Sequence, residues 1–380
     1  MKYSQEYVDT VQLFHDTIAF KPTKRVPHLS NFFTWKIHDS QYTFKEALYD
    51  FKIMEKIVCD FHERYNFDAY ADLGTRNPMK LYESMGGGSF YIFDEKMDSI
   101  QVVDRPIMEG DEYLKFAADP EAFNKELFQR KFPQATAAEM YKGISELISF
   151  GQFAGKMNTE FIKKYSRPAL FAMNAAILMP AEFFSSTARG IKNYSVDMRR
   201  HSDEILEAEN AYFETYTRPA YTAAVNSDTS IYAIDCYTAL LAYSMMSVKQ
   251  FEKLYWPHLR SYIDYTVDAD KMFYAFCEST MMRFKDFFAE LPKGHVVLHP
   301  EEDTVYELRE ALPNVCVAGG MPAYSLGYGT PRECVDIAKE LIDTLGEGFI
   351  FSQTKMMSFK NDCTRENLAA VCNFVRNYSL

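Results

Sequence analysis

KMFYAFCEST (271–280), GHVVLHPEED (294–303) and NVCVAGGMP (314–322) decide the reading of this chain. Three short β-rich runs, Phe273–Phe276, His295–Leu298 and Val315–Ala318, are separated by stretches with helical patterning. That alternation is the rhythm of βα units on a parallel sheet. Each run carries a metal-capable side chain at or near its end: Glu278, His299 and Cys316. In a (β/α)8 barrel the strand ends and the loops after them converge on one rim, so residues distant in sequence can share a site. A carboxylate, an imidazole and a thiolate with a fourth position open are the donor set of catalytic rather than structural zinc. Each residue alone has a plainer reading, as a small core hydrophobe, a hydrogen-bonded strand-end histidine or a solvated glutamate.

Working outward, Phe67–Leu73 reads as the first barrel strand, followed by the turn GTRNP, so Asp72, Thr75 and Arg76 stand at a strand end and either line a pocket or form a polar loop closing the rim. Ala169–Asn174, Ile231–Asp235 and Gly348–Ser352 read as further strands, and Asp235 would close its strand with a carboxylate. Asp72 and Asp235 are therefore candidates to orient a substrate or a metal-bound water. Cys277 is a rival sulfur donor, but strand side chains alternate faces, so Cys277 and Glu278 should not both point inward. Residues 1–66 read as a mostly helical N-terminal elaboration, and 67–380 as the TIM barrel itself. Helices are expected from Ser247, broken at Pro257, and from Thr330 with Pro331 at its first position. Tyr91–Val103 reads as a hairpin turning at Asp98-Ser99. The glycine run at 86–88 lacks the lysine and hydroxyl of a phosphate loop and the spacing of a dinucleotide fingerprint.

Composition bounds the function. Of 380 residues, 47% are hydrophobic, enough for a large core, and one barrel accommodates that length. A net charge of -12 argues against nucleic acid or an anionic membrane as partner. Seven cysteines form no close-spaced framework and no CxxC pair, which reads as reduced thiols in a cytoplasm. No apolar run reaches the ~18 residues of a spanning helix, and the first residues lack a signal core. The 31 Phe, 26 Tyr and 19 Met fill the core and leave material for an aromatic-lined pocket.

FCESTMMRFKDFFAELPKGHVVLHPEEDT (276–304), NVCVAGGMPAYSLGYGTPRECVDIAKELIDTLGEGFIFS (314–352) and DCTRENLAAV (362–371) resemble the C-terminal half of the uroporphyrinogen decarboxylase superfamily. SVKQFEKLYWPHLRSYID (247–264) and RNPMKLYESMGGGSFY (76–91) extend the resemblance, in order, over most of the chain. It implies a (β/α)8 barrel and either decarboxylation or corrinoid-linked methyl transfer. The family's decarboxylases carry an arginine-rich motif near the N-terminus to hold a tetrapyrrole's carboxylates, where this chain has NFFTWKIHDS (31–40). Its coenzyme M methyltransferases use a His-x-Cys zinc motif, where this chain has Ala275 before Cys277, and Lys355 near the last strand. The chain is most similar to the branch that demethylates aryl methyl ethers. The resemblance thus implies zinc on Glu278, His299 and Cys316, a methyl group leaving an ether oxygen, and a partner protein carrying a corrinoid (cobalamin) as acceptor. A decarboxylase or a non-catalytic accessory barrel are the alternatives.

Overall fold

In a computed structural model, residues 3–76, 78–86 and 91–380 are described. Of the glycine run, Gly87 and Gly88 lie outside the described residues. The protein is α/β, with a five-stranded parallel sheet in the order β5 (Cys236–Leu240), β6 (Phe273–Cys277), β7 (Val296–Pro300), β8 (Cys316–Met321) and β9 (Phe349–Gln353). Successive strands are neighbours and parallel, so each connection must cross over the sheet, and helices such as Val305–Ala311 and Pro331–Leu345 do so. Thr330 opens the second of these with a capping box: its hydroxyl accepts from the Glu333 amide, and Glu333 accepts from the Thr330 amide at 2.7 Å. Ser247 opens its own helix in the same way with Gln250. The break at Pro257 takes the form of a π-helical turn, Phe251–Tyr255, immediately before the helix Trp256–Asp268. That turn absorbs the proline's missing amide without ending the segment.

Both faces of β6, β7 and β9 are buried, β8 is buried but for Gly320, one face of β5 is half-buried, and the two faces alternate. Tyr274, Phe276, Val297, Cys316, Ala318 and Ile350 belong to one cluster with Leu29, Ala69 and Leu170. Phe273, Ala275, Cys277, Val296, Leu298, Val315, Val317, Phe349 and Phe351 belong to the other, with the surrounding helices. Period-two alternation between two apolar environments is what a sheet wrapped by helices requires. Burying each large side chain in these clusters contributes about 1.5–3 kcal/mol. Cys277 lies on the helix side, as the alternation from Glu278 requires.

Regular pairing stops at β5 and β9, and among the described residues the sheets do not close into a single eight-stranded barrel. Shorter pairings continue from both edges. β1 (Leu29–Ser30), inside the mostly helical stretch, pairs in parallel with β2 (Ala69–Tyr70), and His28 bridges to Phe351 of β9. Tyr70 bridges to Ala169, the Ile234 amide donates to the Leu170 carbonyl at 2.8 Å, and Ala176 bridges to Tyr237 of β5. The stretch expected as a strand at 169–174 thus makes single bridges and passes into a short 3-10 turn, Met173–Ala175. A hairpin, β3 (Tyr91–Asp94) with β4 (Ser99–Val102), turns at Asp98, whose φ is 44°. Among the described residues no helix is long and apolar enough to cross a membrane.

Candidate functional site

The register of β6, β7 and β8 settles where the three expected metal ligands lie. Phe276 pairs with His299, and Val297 pairs with Cys316, which puts Ala318 beside His299. Glu278, His299 and Cys316 fall on one inward series, but at three successive levels. Each level is two residues, or ~6.6 Å, beyond the last, so Glu278 and Cys316 are separated by ~13 Å along the strands and ~9.6 Å across them. Zinc bonds of ~2.0–2.3 Å cannot span that gap even with the glutamate extended. Among the described residues no group of three or more His, Cys, Asp or Glu side chains is placed to hold a metal ion. The expectation that strand ends converge misjudged the register, because Cys316 begins its strand and Glu278 follows the end of its own.

The chemistry of each residue agrees with its position. His299 Nε2 lies 2.8 Å from the Gln353 carbonyl oxygen, which can only accept, so Nε2 carries the hydrogen. Nδ1 then accepts from the Tyr274 hydroxyl at 2.6 Å. Burial lowers the histidine to about 4, so the ring is neutral with both nitrogens engaged. The ring lies against β8 at Gly319, whose φ of +110° and missing Cβ make the space: an added Cβ would meet the ring at 2.9 Å. Cys316 is fully buried and its thiol is pushed up to about 12, far from the thiolate a metal needs. Glu278, partly buried, is raised to about 7 by burial first and then by Glu301 and Glu182.

Asp235 is a correction. Its strand is Cys236–Leu240 rather than 231–235, so the carboxylate precedes the strand and sits at the end of the sheet opposite Glu278. There it accepts from the Thr229 hydroxyl and, at 2.8 Å, from the Met272 amide, tying β5 to β6. That is a structural duty. Asp72, in contrast, lines a cavity. It accepts from the Gly74 amide at 2.8 Å, pairs with Arg76, and its carbonyl accepts from the buried Lys36 ammonium at 2.6 Å.

That cavity, about 610 Å³, is the chief concave feature and lies on the side of β1, β2 and the 169–176 segment. An aromatic wall runs through it. Phe171 stacks on Tyr237 with centroids 4.1 Å apart and planes at 13°, and Tyr237 stacks in turn near Tyr274, the partner of His299. About two turns of the helix Ala137–Glu160, with Phe150, Gly151, Ala154, Gly155 and Asn158, form another wall. Asn31 contributes a buried amide whose nitrogen has no partner. Apart from neutral His299, the charged residues lining the cavity are Asp72 and Arg76, which neutralise each other. Reading the sequence found Asp72, Thr75, Arg76 and His299 and missed Asn31, Gly151, Gly155, Phe171, Tyr237 and Tyr274. Tyr274 alone carried a signal, since it alternates with Phe276 onto the inward face.

No protein-family model matches the chain, and no curated protein matches it. Among solved structures, a methyltransferase from Methanosarcina mazei superposes with a TM-score of 0.62, covering 97% of this chain and 98% of that one at 15% sequence identity. A likeness at that identity speaks to the fold.

Proposed function

We propose that the protein is a methyltransferase of the (β/α)8-barrel type that takes a methyl group from an O-methyl donor, an aryl methyl ether, and passes it to the cobalt of a corrinoid carried by a partner protein. The observation that carries the reading is the match in fold, over the full length of both chains, to the Methanosarcina mazei methyltransferase. The short pairings from β9 through β1, β2 and the 169–170 segment to β5 support closure of the barrel. The cavity supports the donor class. Its volume falls in the ~300–1,000 Å³ range of small-molecule sites, and stacked aromatic rings suit a flat ring. A polycarboxylate would need unpaired cations, and Arg76 is already committed to Asp72.

In such a transfer the methyl–oxygen bond breaks with its electron pair staying on oxygen. The donor leaves as a phenolate, which takes a proton from solvent, and the methyl carbon bonds to the acceptor. A reduced corrinoid supplies a strong nucleophile when its carrier docks. The chain's own part is to hold the ring against Phe171 and Tyr237 with its methyl group in line for transfer. Zinc held by Glu278, His299 and Cys316 has no place in this reading, because those residues do not fit one ion.

The test is to incubate the protein with 1,2-dimethoxybenzene and free cob(I)alamin under reducing, anaerobic conditions, following phenol release by chromatography and the cobalt(I) absorbance. Equal amounts of 2-methoxyphenol and methylcobalamin above the protein-free control are expected. No phenol above that control, across mono- and dimethoxybenzenes, would overturn the reading.

A further inference from the structure

We infer that the cavity is entered from the side, past Gly151 and Gly155, and that these glycines together with Asn31 decide what it admits: an uncharged, flat ring bearing an acceptor oxygen. The identity of the ring as a methyl donor rests on the function proposed above, whereas the entrance does not.

Both glycines are exposed and line the cavity, yet a Cβ built at either meets no atom within 4 Å. They stand mid-helix in Ala137–Glu160, where glycine is destabilising relative to alanine, and no neighbour in the fold requires their lack of a side chain. The contrast with Gly143 of the same helix is direct, because a Cβ there would meet Met85 at 3.0 Å. Gly143 is small to let the chain pack. Gly151 and Gly155 are small beside open space that leads into the cavity. Phe150, Ala154 and Asn158 continue the same wall, and exposed Met173 and Asn174 lie on the cavity's other lining segment.

A second observation points to a ligand. Asn31 is only 8% exposed and lines the cavity. Its backbone is fully used: the amide donates to Gln353 Oε1 at 3.0 Å, and the carbonyl accepts from the Met357 amide at 2.9 Å. Its side-chain nitrogen has no partner. A buried donor left unmatched is costly, and an ether or phenol oxygen would match it once the amide turns to present its nitrogen to the cavity. An anionic ligand finds no free counter-charge, since the Arg76 guanidinium is held by Asp72 and lies over the Phe33 ring.

The test is calorimetric titration of the full chain with three probes: 1,2-dimethoxybenzene, 1,2-diethylbenzene as its oxygen-free counterpart, and 3,4-dimethoxybenzoate. In the wild type, dimethoxybenzene binds and the benzoate binds at least tenfold more weakly. Gly155→Leu weakens dimethoxybenzene binding tenfold or more, while its melting temperature stays level or rises. Gly155→Ala, which only adds a Cβ in open space, serves as the folded control. Asn31→Ala weakens dimethoxybenzene about fivefold and leaves diethylbenzene within twofold. Failure of the wild type to bind dimethoxybenzene, wild-type affinity in Gly155→Leu, or equal losses for both neutral probes in Asn31→Ala would overturn the inference. Binding with the expected pattern but without demethylation would refute methyl transfer and leave the entrance standing. Demethylation at unchanged KM in Gly155→Leu would do the reverse.

Discussion

Two walls of the interior have opposite characters. The wall of β6, β7 and β8 is long, regularly paired and largely filled: Val297, Cys316 and Ala318 pack its inner face away from the cavity, Tyr274, Phe276 and His299 border it, and that imidazole has both nitrogens engaged. The wall of β1, β2 and the 169–176 segment is built from two-residue strands and single bridges, and it borders the cavity and leaves the Asn31 amide unmatched. Regular pairing brings side chains into layers that fill one another's space, whereas short pairing leaves room. Metal-capable residues on a well-packed wall are therefore more readily core than site. Space and unmatched polarity are the better guide to where chemistry happens.

The largest effect that would sharpen this comparison is at Gly319. Its φ of +110° is a region that side chains avoid, and a Cβ would press on a His299 ring pinned by two hydrogen bonds. Gly319→Ala should cost about 4 kcal/mol, from backbone strain and overpacking together, in denaturant unfolding. A loss under 1 kcal/mol would mean that the filled wall yields easily and that the contrast with the open wall is overdrawn.

One polar group behind the filled side is incompletely matched. Glu209 accepts from the Tyr194 hydroxyl, but its other carboxyl oxygen is buried without a partner, and burial, with Glu182 nearby, raises it to about 8. The folded state then holds a proton that the unfolded state releases near the ordinary carboxyl value. Stability from this group is fully present below about pH 4.5 and is lost as pH rises through 8. Glu209→Gln should flatten that decline and gain about 3 kcal/mol over the wild type at pH 9, read by unfolding at pH 5 and pH 9. Parallel pH profiles for the two proteins would show that the filled side has no such weak point.

Cys316→Ala tests the metal reading and the packing reading at once. As a packed thiol two residues below the level of His299, Cys316 should cost about 1 kcal/mol when truncated, with the zinc content of protein purified without chelator unchanged. Loss of about one zinc per chain in this variant would restore the ligand set and break the account of three separate levels.

The sequence made the parallel sheet legible because β-rich runs and helical stretches alternate from 271 onward, and all four strands read from that region and from Gly348–Ser352 are present with ends within three residues. The caps at Ser247 and Thr330 were legible for the same local reason. Register was not legible, since a strand reads the same whether its polar residue begins it, as Cys316 does, or follows it, as Glu278 does. The error at Asp235 has the same root: IYAID is apolar enough to be a strand, but pairing with β6 begins one residue later. The cavity wall was hidden more deeply. Gly151, Gly155 and Asn31 come from a helix and from the residue after β1, stretches that showed no chemistry on their own, and only the fold brings them to one space.

The smallest effect completes the comparison with the same substitution on the opposite wall. At Gly151 the backbone is helical, the position is exposed and a Cβ enters open space, so alanine loses nothing in packing and gains helix propensity. Gly151→Ala should raise stability by about 0.5–1 kcal/mol, the reverse in sign of Gly319→Ala. A methyl group at the rim is too small to close a 610 Å³ cavity, so binding of 1,2-dimethoxybenzene should stay within about twofold of wild type. Unfolding curves for the two alanine variants, run side by side, give the contrast directly. If Gly151→Ala destabilised the protein instead, the helix would be meeting something at that point, and the open wall would be less open than its glycines indicate.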